Sequence, residues 1–394
     1  MKWTSAISEK PELEDAIAEC AVNIKNSIQD EPLDLVVVFV SPHYEEAYDR
    51  VAPLLRLALG AKHVIGCSGG GVIGNGVEVE QRAGLSITAA VLPNVEIKPF
   101  HLQVHRLPDM DASPDKWEEL IGVEAEKDPH FVMLADPYSF PVQDLLVGLD
   151  YAFPKASKIG GLASGASRQG GNALFLDGEV LRTGAIGLAF DGNITVDTVV
   201  AQGCRPIGTP MRVSKSDRNT LEELDGHSPL SVLQGMVAAL PQRDQELLRH
   251  SLFLGVVMDE MIDNPVQGDF LIRNVVGMDQ NTGSLAIGEM LKEGQLVQFH
   301  LRDAETSTDD LLAVLSRYAT ENRENDIPGA LLFSCLGRGQ FLYGRENHDT
   351  DLFRDKLGEI PLGGFFCNGE IGPVSGTTFL HGYTSSFGLF RPKL

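Results

Sequence analysis

The feature that most constrains this chain is a unit that recurs along it: a short apolar run, a helix-patterned stretch, a turn of small residues and glycine, then alternating segments. The first copy runs from Leu35-Val36-Val37-Val38-Phe39-Val40 through a helical stretch, Tyr44 to Leu59, to the turn Ile65-Gly66-Cys67-Ser68-Gly69-Gly70-Gly71. Alternating segments around Val77 to Val79 and Leu85 to Val91 follow it and read as antiparallel strands. The second copy has Phe131 to Ala135, a helix from Val142 to Phe153, and the turn Ile159-Gly160-Gly161-Leu162-Ala163-Ser164-Gly165. The third has Ala330 to Cys335, a helix from Asp351 to Leu357, and Leu362-Gly363-Gly364-Phe365-Phe366-Cys367-Asn368-Gly369-Glu370-Ile371-Gly372-Pro373. Six-residue apolar runs are those of strands buried on both faces. Glycines so densely placed imply positive φ or close approach of backbone to a neighbour. Aligning the turns sets Cys67-Ser68-Gly69 over Ala163-Ser164-Gly165 and Cys367-Asn368-Gly369.

A fourth, degenerate copy is expected from the match of Gly178 to Gly184 with Gly288 to Gly294, its leading strand being Leu252 to Val257. Four units pair into two halves joined between Gln202 and Gly226. The fold class is therefore α/β (α+β): two related domains, each with mixed, largely antiparallel sheets flanked by helices. The expected boundaries are an N-terminal helix in 1–31, whose apolar stripe is Leu13, Ile17, Ala21, Ile24 and Ile28, and domains at 32–225 and 226–394.

Composition excludes several classes. Lysine plus arginine number 32 against 55 aspartate plus glutamate, a net charge of −23, which disfavours nucleic acid and anionic membrane surfaces as partners. No apolar run approaches the roughly 18 residues of a membrane helix, and the N-terminus lacks the apolar core of a secretory signal. The five cysteines, Cys20, Cys67, Cys204, Cys335 and Cys367, contain no CxxC pair, which points away from a disulfide framework and towards the cytoplasm. The histidines (His63, His101 and His130 among them) show neither HExxH nor paired spacing, so neither metal nor other cofactor is expected.

Cys335-Leu336-Gly337-Arg338-Gly339, the stretch Gly363 to Pro373, and His381-Gly382-Tyr383-Thr384 resemble the C-terminal FIST domain. Ile65 to Gly70 and Gly203-Cys204-Arg205-Pro206-Ile207-Gly208 resemble its N-terminal partner. The resemblance covers nearly the whole chain, from about Pro32 onward, and implies a sensory module binding a small ligand, an amino acid or derivative being favoured. Such domains occur alone or attached to signalling or F-box modules, so an unidentified signalling protein is the partner the resemblance suggests. No F-box, kinase or methyl-accepting segment is present, so a stand-alone version is expected.

The candidate ligand-binding set is Cys67, Ser68, Gly69, Ser164, Gly165, Arg338, Cys367, Asn368, Gly369, Glu370 and His381, the pocket lying where the glycine turns converge. Within it, an arginine fork suits a carboxylate and a glutamate suits an ammonium group, so Arg338 and Glu370 together fit a zwitterion; equally, they could pair internally. The alternative is an enzyme, a thiol- or serine-dependent hydrolase or transferase, with Cys367 as thiol nucleophile, His381 as base and Glu370 or Asn368 as orienter. Gly66-Cys67-Ser68-Gly69-Gly70 fits the G-x-S-x-G elbow of serine hydrolases, but that elbow needs a following helix and strands follow here. A third reading makes the glycine turns purely structural in a partner-binding scaffold.

Overall fold

The computed structural model describes every residue of 1–394 except Glu260, Asp263, Glu324, Asn325 and Leu394. The chain forms two compact units, Met1–Val200 with Val314–Leu394, and Ala201–Ala313.

The first unit holds three six-stranded sheets with one shared plan. The first sheet has the order Lys2–Ser8, Leu85–Val91, Leu35–Val40, His63–Ser68, then the hairpin Leu174–Leu176 with Glu179–Leu181. The second has Val95–Leu102, Ala185–Gly192, His130–Ala135, Lys158–Leu162, then the hairpin Glu370–Val374 with Thr377–His381. The third has Thr195–Ala201, Ser385–Arg391, Gly329–Cys335, Leu362–Cys367, then the hairpin Gly71–Gly74 with Val77–Glu80. In each sheet the central pair is parallel and joined through a helix, and the strands flanking it run antiparallel, in keeping with the mixed, largely antiparallel class expected.

Each hairpin belongs to a different sheet from the one its own repeat builds. The first repeat sends its hairpin to the third sheet, the second to the first, and the third to the second. The exchange closes on itself, so the three repeats fold as one cooperative body. Side chains fasten each hairpin to its host. Glu78 N–H donates to Asn347 Oδ1 at 2.7 Å, Val64 N–H donates to Asp177 Oδ1 at 2.8 Å, and Thr378 donates through N–H and Oγ1 to Asp150 at 2.7 and 2.8 Å.

Aromatic residues lock the sheet faces together: Phe39 stacks on Phe365 with centroids 4.6 Å apart, and Trp3 on Phe390 at 4.5 Å. The helix Leu13–Ile28 covers the other face of the first sheet with Leu13, Ile17, Cys20 and Ile24. In each parallel pair one glycine has no room for a side chain. A Cβ on Gly66 would lie 1.9 Å from Val38 O, on Gly160 1.8 Å from Met133 O, and on Gly364 1.9 Å from Leu332 O.

Two expectations need correction. The fourth copy is not one: Leu252–Val257 pairs antiparallel with Phe270–Met278 and with Leu296–Leu301 in a closed barrel. The likeness of Gly178–Gly184 to Gly288–Gly294 is one of turn chemistry, since the first stretch holds the strand Glu179–Leu181 and the second holds none. The N-terminal segment is also more than a helix, because Lys2–Ser8 is an edge strand paired with Leu85–Val91.

The second unit is that barrel: Arg205–Asp217, Thr220–Leu224, Leu285–Ile287, Phe270–Met278, Leu252–Val257 and Leu296–Leu301, packed on Ile207, Leu254, Val297 and Phe299. Arg205, beside the proline noted in the sequence, enters its first strand and pairs with Asp244 at 2.5 Å. In chain order the barrel interrupts the third repeat between its first strand, Thr195–Ala201, and its helix Ala304–Glu321.

Candidate functional site

The three glycine turns do meet, all within the first unit. Ser68 O accepts from the N–H groups of Ser164 and Gly165 at 3.1 and 3.2 Å. Gly70 N–H donates to Ser164 Oγ at 2.9 Å, and that hydroxyl donates to Phe366 O. Asn368 N–H reaches Leu162 O at 3.1 Å, and Leu162 N–H reaches Gly369 O at 2.8 Å. Cys67, Ala163 and Cys367 are buried in a common core cluster, while Asn368 is exposed. The amides of Gly69, Gly70, Ser164, Gly165 and Asn368 all donate to protein acceptors, so these turns close on one another and do not cradle an anion.

Neither nucleophile has the setting it needs. Ser68 ends the strand His63–Ser68, with the strand Gly71–Gly74 following, and its hydroxyl accepts from Ala173 N–H at 3.0 Å. Burial pushes the Cys367 thiol well above its ordinary pKa, with the Glu370 charge adding to it. Its hydrogen bond runs to Phe365 O at 3.5 Å, and His381 is engaged through Nε2 with Gly372 O at 3.0 Å. A thiol that is buried and protonated is chemically quiet.

The charged members of the set lie in the third repeat. Arg338, fully buried, grips Asp349 with two parallel bonds, Nε to Oδ2 at 2.8 Å and Nη2 to Oδ1 at 3.0 Å. Ser385 Oγ and Ser334 Oγ donate to the same Oδ2 at 2.5 and 3.2 Å, and His348 Nδ1 meets Oδ1 at 2.9 Å. The His348 ring lies flat on Tyr343, centroids 3.3 Å apart. Burial acts to raise the Asp349 pKa, but the Arg338 charge and the bonds from His348, Arg338 and Ser385 outweigh it and hold the carboxyl well below the usual range.

A second carboxyl stands beside it. Glu78, delivered by the exchanged hairpin, accepts from Thr350 N–H at 2.9 Å at the start of the helix His348–Leu357. Burial, then the Asp349 charge, push Glu78 up to about 8. Neighbouring acids driven apart in this way mark functional sites more often than ordinary cores.

Arg338 and Glu370 meet through one peptide group. Arg338 Nη1 donates to Tyr383 O at 3.4 Å, and Thr384 N–H donates to Glu370 Oε2 at 3.1 Å. Tyr383 holds φ = 68°, a left-handed conformation that bulky side chains rarely adopt. Asp349, Glu78 and Tyr383 were not in the candidate ligand-binding set read from sequence. The first two are brought in by tertiary contacts, and nothing in the string His381-Gly382-Tyr383-Thr384 places the strain on the tyrosine when a glycine stands beside it.

Comparison with known proteins places the chain in a family. The FIST N domain matches residues 34–227 and the FIST C domain residues 229–373. The chain belongs to the FIST family. FIST domains are in general sensory and ligand-binding. An uncharacterized protein of Mycobacterium tuberculosis is 36% identical over 99% of this chain and 100% of its own length. An uncharacterized protein of Mycobacterium bovis is 34% identical over 99% of each. An F-box/LRR-repeat protein of Arabidopsis thaliana is 26% identical over 43% of this FIST chain and 35% of its own length. The crystal structure of cyanuric acid hydrolase from A. caulinodans aligns over 99% of both chains, but with a TM-score of 0.33 and 6% identity, which supports no argument about fold or chemistry. No helix among the described residues is long and apolar enough to cross a membrane.

Proposed function

We propose that this FIST protein is a cytoplasmic sensory module that binds a small amino-acid-like molecule between Arg338 and Glu370. The observation that carries the reading is the Tyr383–Thr384 peptide group, whose carbonyl faces Arg338 and whose N–H faces Glu370. That peptide presents the polarity of a zwitterion: a negative oxygen towards guanidinium, a positive hydrogen towards carboxylate. A free amino acid offers the same two ends with full charges, and so competes for the same pair. The left-handed Tyr383 favours the exchange, because releasing the peptide relieves backbone strain of about 1–2 kcal/mol. Release of residues 381–384 then supplies the conformational signal that a signalling partner reads.

The test is thermal unfolding against a library of amino acids and derivatives, on wild type, Arg338→Lys and Glu370→Gln. A ligand at a hundredfold its Kd stabilises by about 2.7 kcal/mol. A shift in wild type that is lost in both folded variants supports the site. A shift that persists in both places the ligand elsewhere.

A further inference from the structure

The sequence sets a cysteine three residues before each member of the charged pair: Cys335 precedes Arg338, and Cys367 precedes Glu370. The fold places the two cysteines side by side. They are the last residues of the parallel strands Gly329–Cys335 and Leu362–Cys367, and they are register partners there. Neighbouring strands run about 4.8 Å apart, inside the Cα spacing of roughly 4.4–6.8 Å that a disulfide spans. Side chains alternate along a strand. Leu331 and Phe333 on one strand, and Phe365 and Cys367 on the other, face one core cluster. Cys335 continues the first alternation, so its Cβ lies on the face that carries Cys367.

The two thiols differ in access. Cys335 is half-buried and Cys367 fully buried. Gly337 N–H donates to Cys335 Sγ at 3.4 Å, a contact that stabilises negative charge on that sulfur. Burial, then the charges of Glu370, Cys67 and Cys335, raise the Cys367 pKa, so a Cys335 thiolate lies within electrostatic reach of Cys367. Cys367 is quiet by itself and reacts only with an electrophile held beside it.

We propose that Cys335 and Cys367 form a reversible oxidation site, at which hydrogen peroxide oxidises Cys335 and Cys367 closes a disulfide. The Cys335 thiolate attacks one peroxide oxygen, the O–O bond breaks, and the departing hydroxide takes the thiol proton as water, leaving Cys335 as the sulfenic acid. The Cys367 sulfur then attacks the Cys335 sulfur. The S–S bond forms, the S–O bond breaks, and the departing hydroxide takes the Cys367 proton as a second water. Two thiols have lost two electrons and two protons, and one peroxide has become two waters. A thiol reductant reverses the bridge by exchange.

The bridge ties the roots of the segments that carry Arg338 and Glu370. Cys335 N–H also donates to Thr384 O at 3.0 Å, and Thr384 N–H donates to Glu370. Oxidation therefore opposes release of the Tyr383–Thr384 peptide. That consequence for ligand binding rests on the function proposed above; the bridge itself does not.

The experiment treats the full chain, folded and without ligand, with hydrogen peroxide and maps its non-reduced peptides by mass spectrometry. The expected result is one bridge, Cys335 to Cys367, lighter by two hydrogens and reversed by dithiothreitol. In Cys367→Ala, Cys335 is expected to stop at the sulfenic acid and to be labelled by dimedone. Alanine stands at the aligned turn position of the second repeat, Ala163, so this variant is expected to fold. In Cys335→Ser, Cys367 is expected to remain a thiol. A wild type without the bridge, or with Cys367 joined to Cys67, overturns the proposal. Slower amide exchange at Thr384 in the oxidised protein than in the reduced one supports the clamp, and an unchanged rate overturns it. A library screen without a ligand contradicts the proposed function and leaves the bridge standing.

Discussion

Arg338 and Glu370 face each other across a single peptide bond, the guanidinium on the carbonyl of Tyr383 and the carboxylate on the N–H of Thr384. Two buried, oppositely charged side chains are thus kept apart by a neutral dipole. The arrangement explains how both are tolerated in a core. Asp349 answers the Arg338 charge with two bonds, and the peptide adds one hydrogen bond to Arg338 and one to Glu370.

The strain in this peptide is testable at Tyr383. Asparagine tolerates left-handed backbone and a β-branched residue does not. Tyr383→Asn is expected to match wild-type backbone stability more closely, and Tyr383→Val to lose a further ~1–2 kcal/mol relative to it. Urea unfolding of the two variants side by side gives the difference. Equal stabilities would mean that the left-handed conformation is not retained.

Removing the Asp349 charge leaves Arg338 buried without its partner. Asp349→Asn is expected to destabilise the protein by about 3–5 kcal/mol. Exposed surface pairs such as Lys116 with Glu119 contribute little to stability, so Glu119→Gln serves as the control. A loss below about 1 kcal/mol for Asp349→Asn would argue that water reaches Arg338.

Glu78 gives the stability a pH dependence of unusual sign. Its folded pKa of about 8 lies above the ordinary glutamate range, so between those values the folded state binds the proton that the unfolded state has released. Stability from this group therefore falls as pH rises from about 4.5 to about 8, by on the order of a few kcal/mol. Asp349 has the opposite sign: its folded pKa is depressed, so its contribution is present above the usual carboxylate range and is lost as pH falls below it. Denaturant midpoints from pH 5 to 9 are expected to decline in wild type and to flatten in Glu78→Gln. Identical profiles for the two proteins would show that Glu78 is ionised in the folded state.

The glycines of the parallel pairs separate backbone packing from chain flexibility. Gly160→Ala and Gly364→Ala place a methyl within 1.8 and 1.9 Å of a carbonyl oxygen, and each is expected to destabilise by several kcal/mol or to prevent folding. Gly235, exposed in the helix Pro229–Val237 with open space around it, behaves in the reverse sense. Gly235→Ala is expected to stabilise by up to about 1 kcal/mol. Calorimetric melting of the three variants decides it.

What could be read from sequence follows from the range of the interactions. The strands Leu35–Val40, His130–Ala135 and Gly329–Cys335 were legible because burial on both faces writes a continuous apolar run. The glycine turns were legible because close backbone approach admits no other residue. The exchange of hairpins was not, because a hairpin's alternation records that it has a partner strand and not which one. The fourth copy misled for a related reason, since glycine-bounded turns look alike whatever sheet they serve. Lys2–Ser8 was missed because it reads as helix leader and becomes a strand only by pairing with Leu85–Val91. At the site, Arg338 and Glu370 stood out by their glycine flanks. Asp349, which pairs with Arg338, and Glu78, which stands beside Asp349, arrive from a helix and a hairpin and carry no local mark.

The most direct measurement is amide hydrogen exchange at Thr384, with and without a ligand that raises the melting temperature. If the ligand replaces the Tyr383–Thr384 peptide between Arg338 and Glu370, Thr384 loses its bond to Glu370, and its amide exchanges faster while the strands Gly329–Cys335 and Leu362–Cys367 are protected more strongly. If the Thr384 amide slows together with those strands, the peptide has stayed in place and the ligand binds elsewhere.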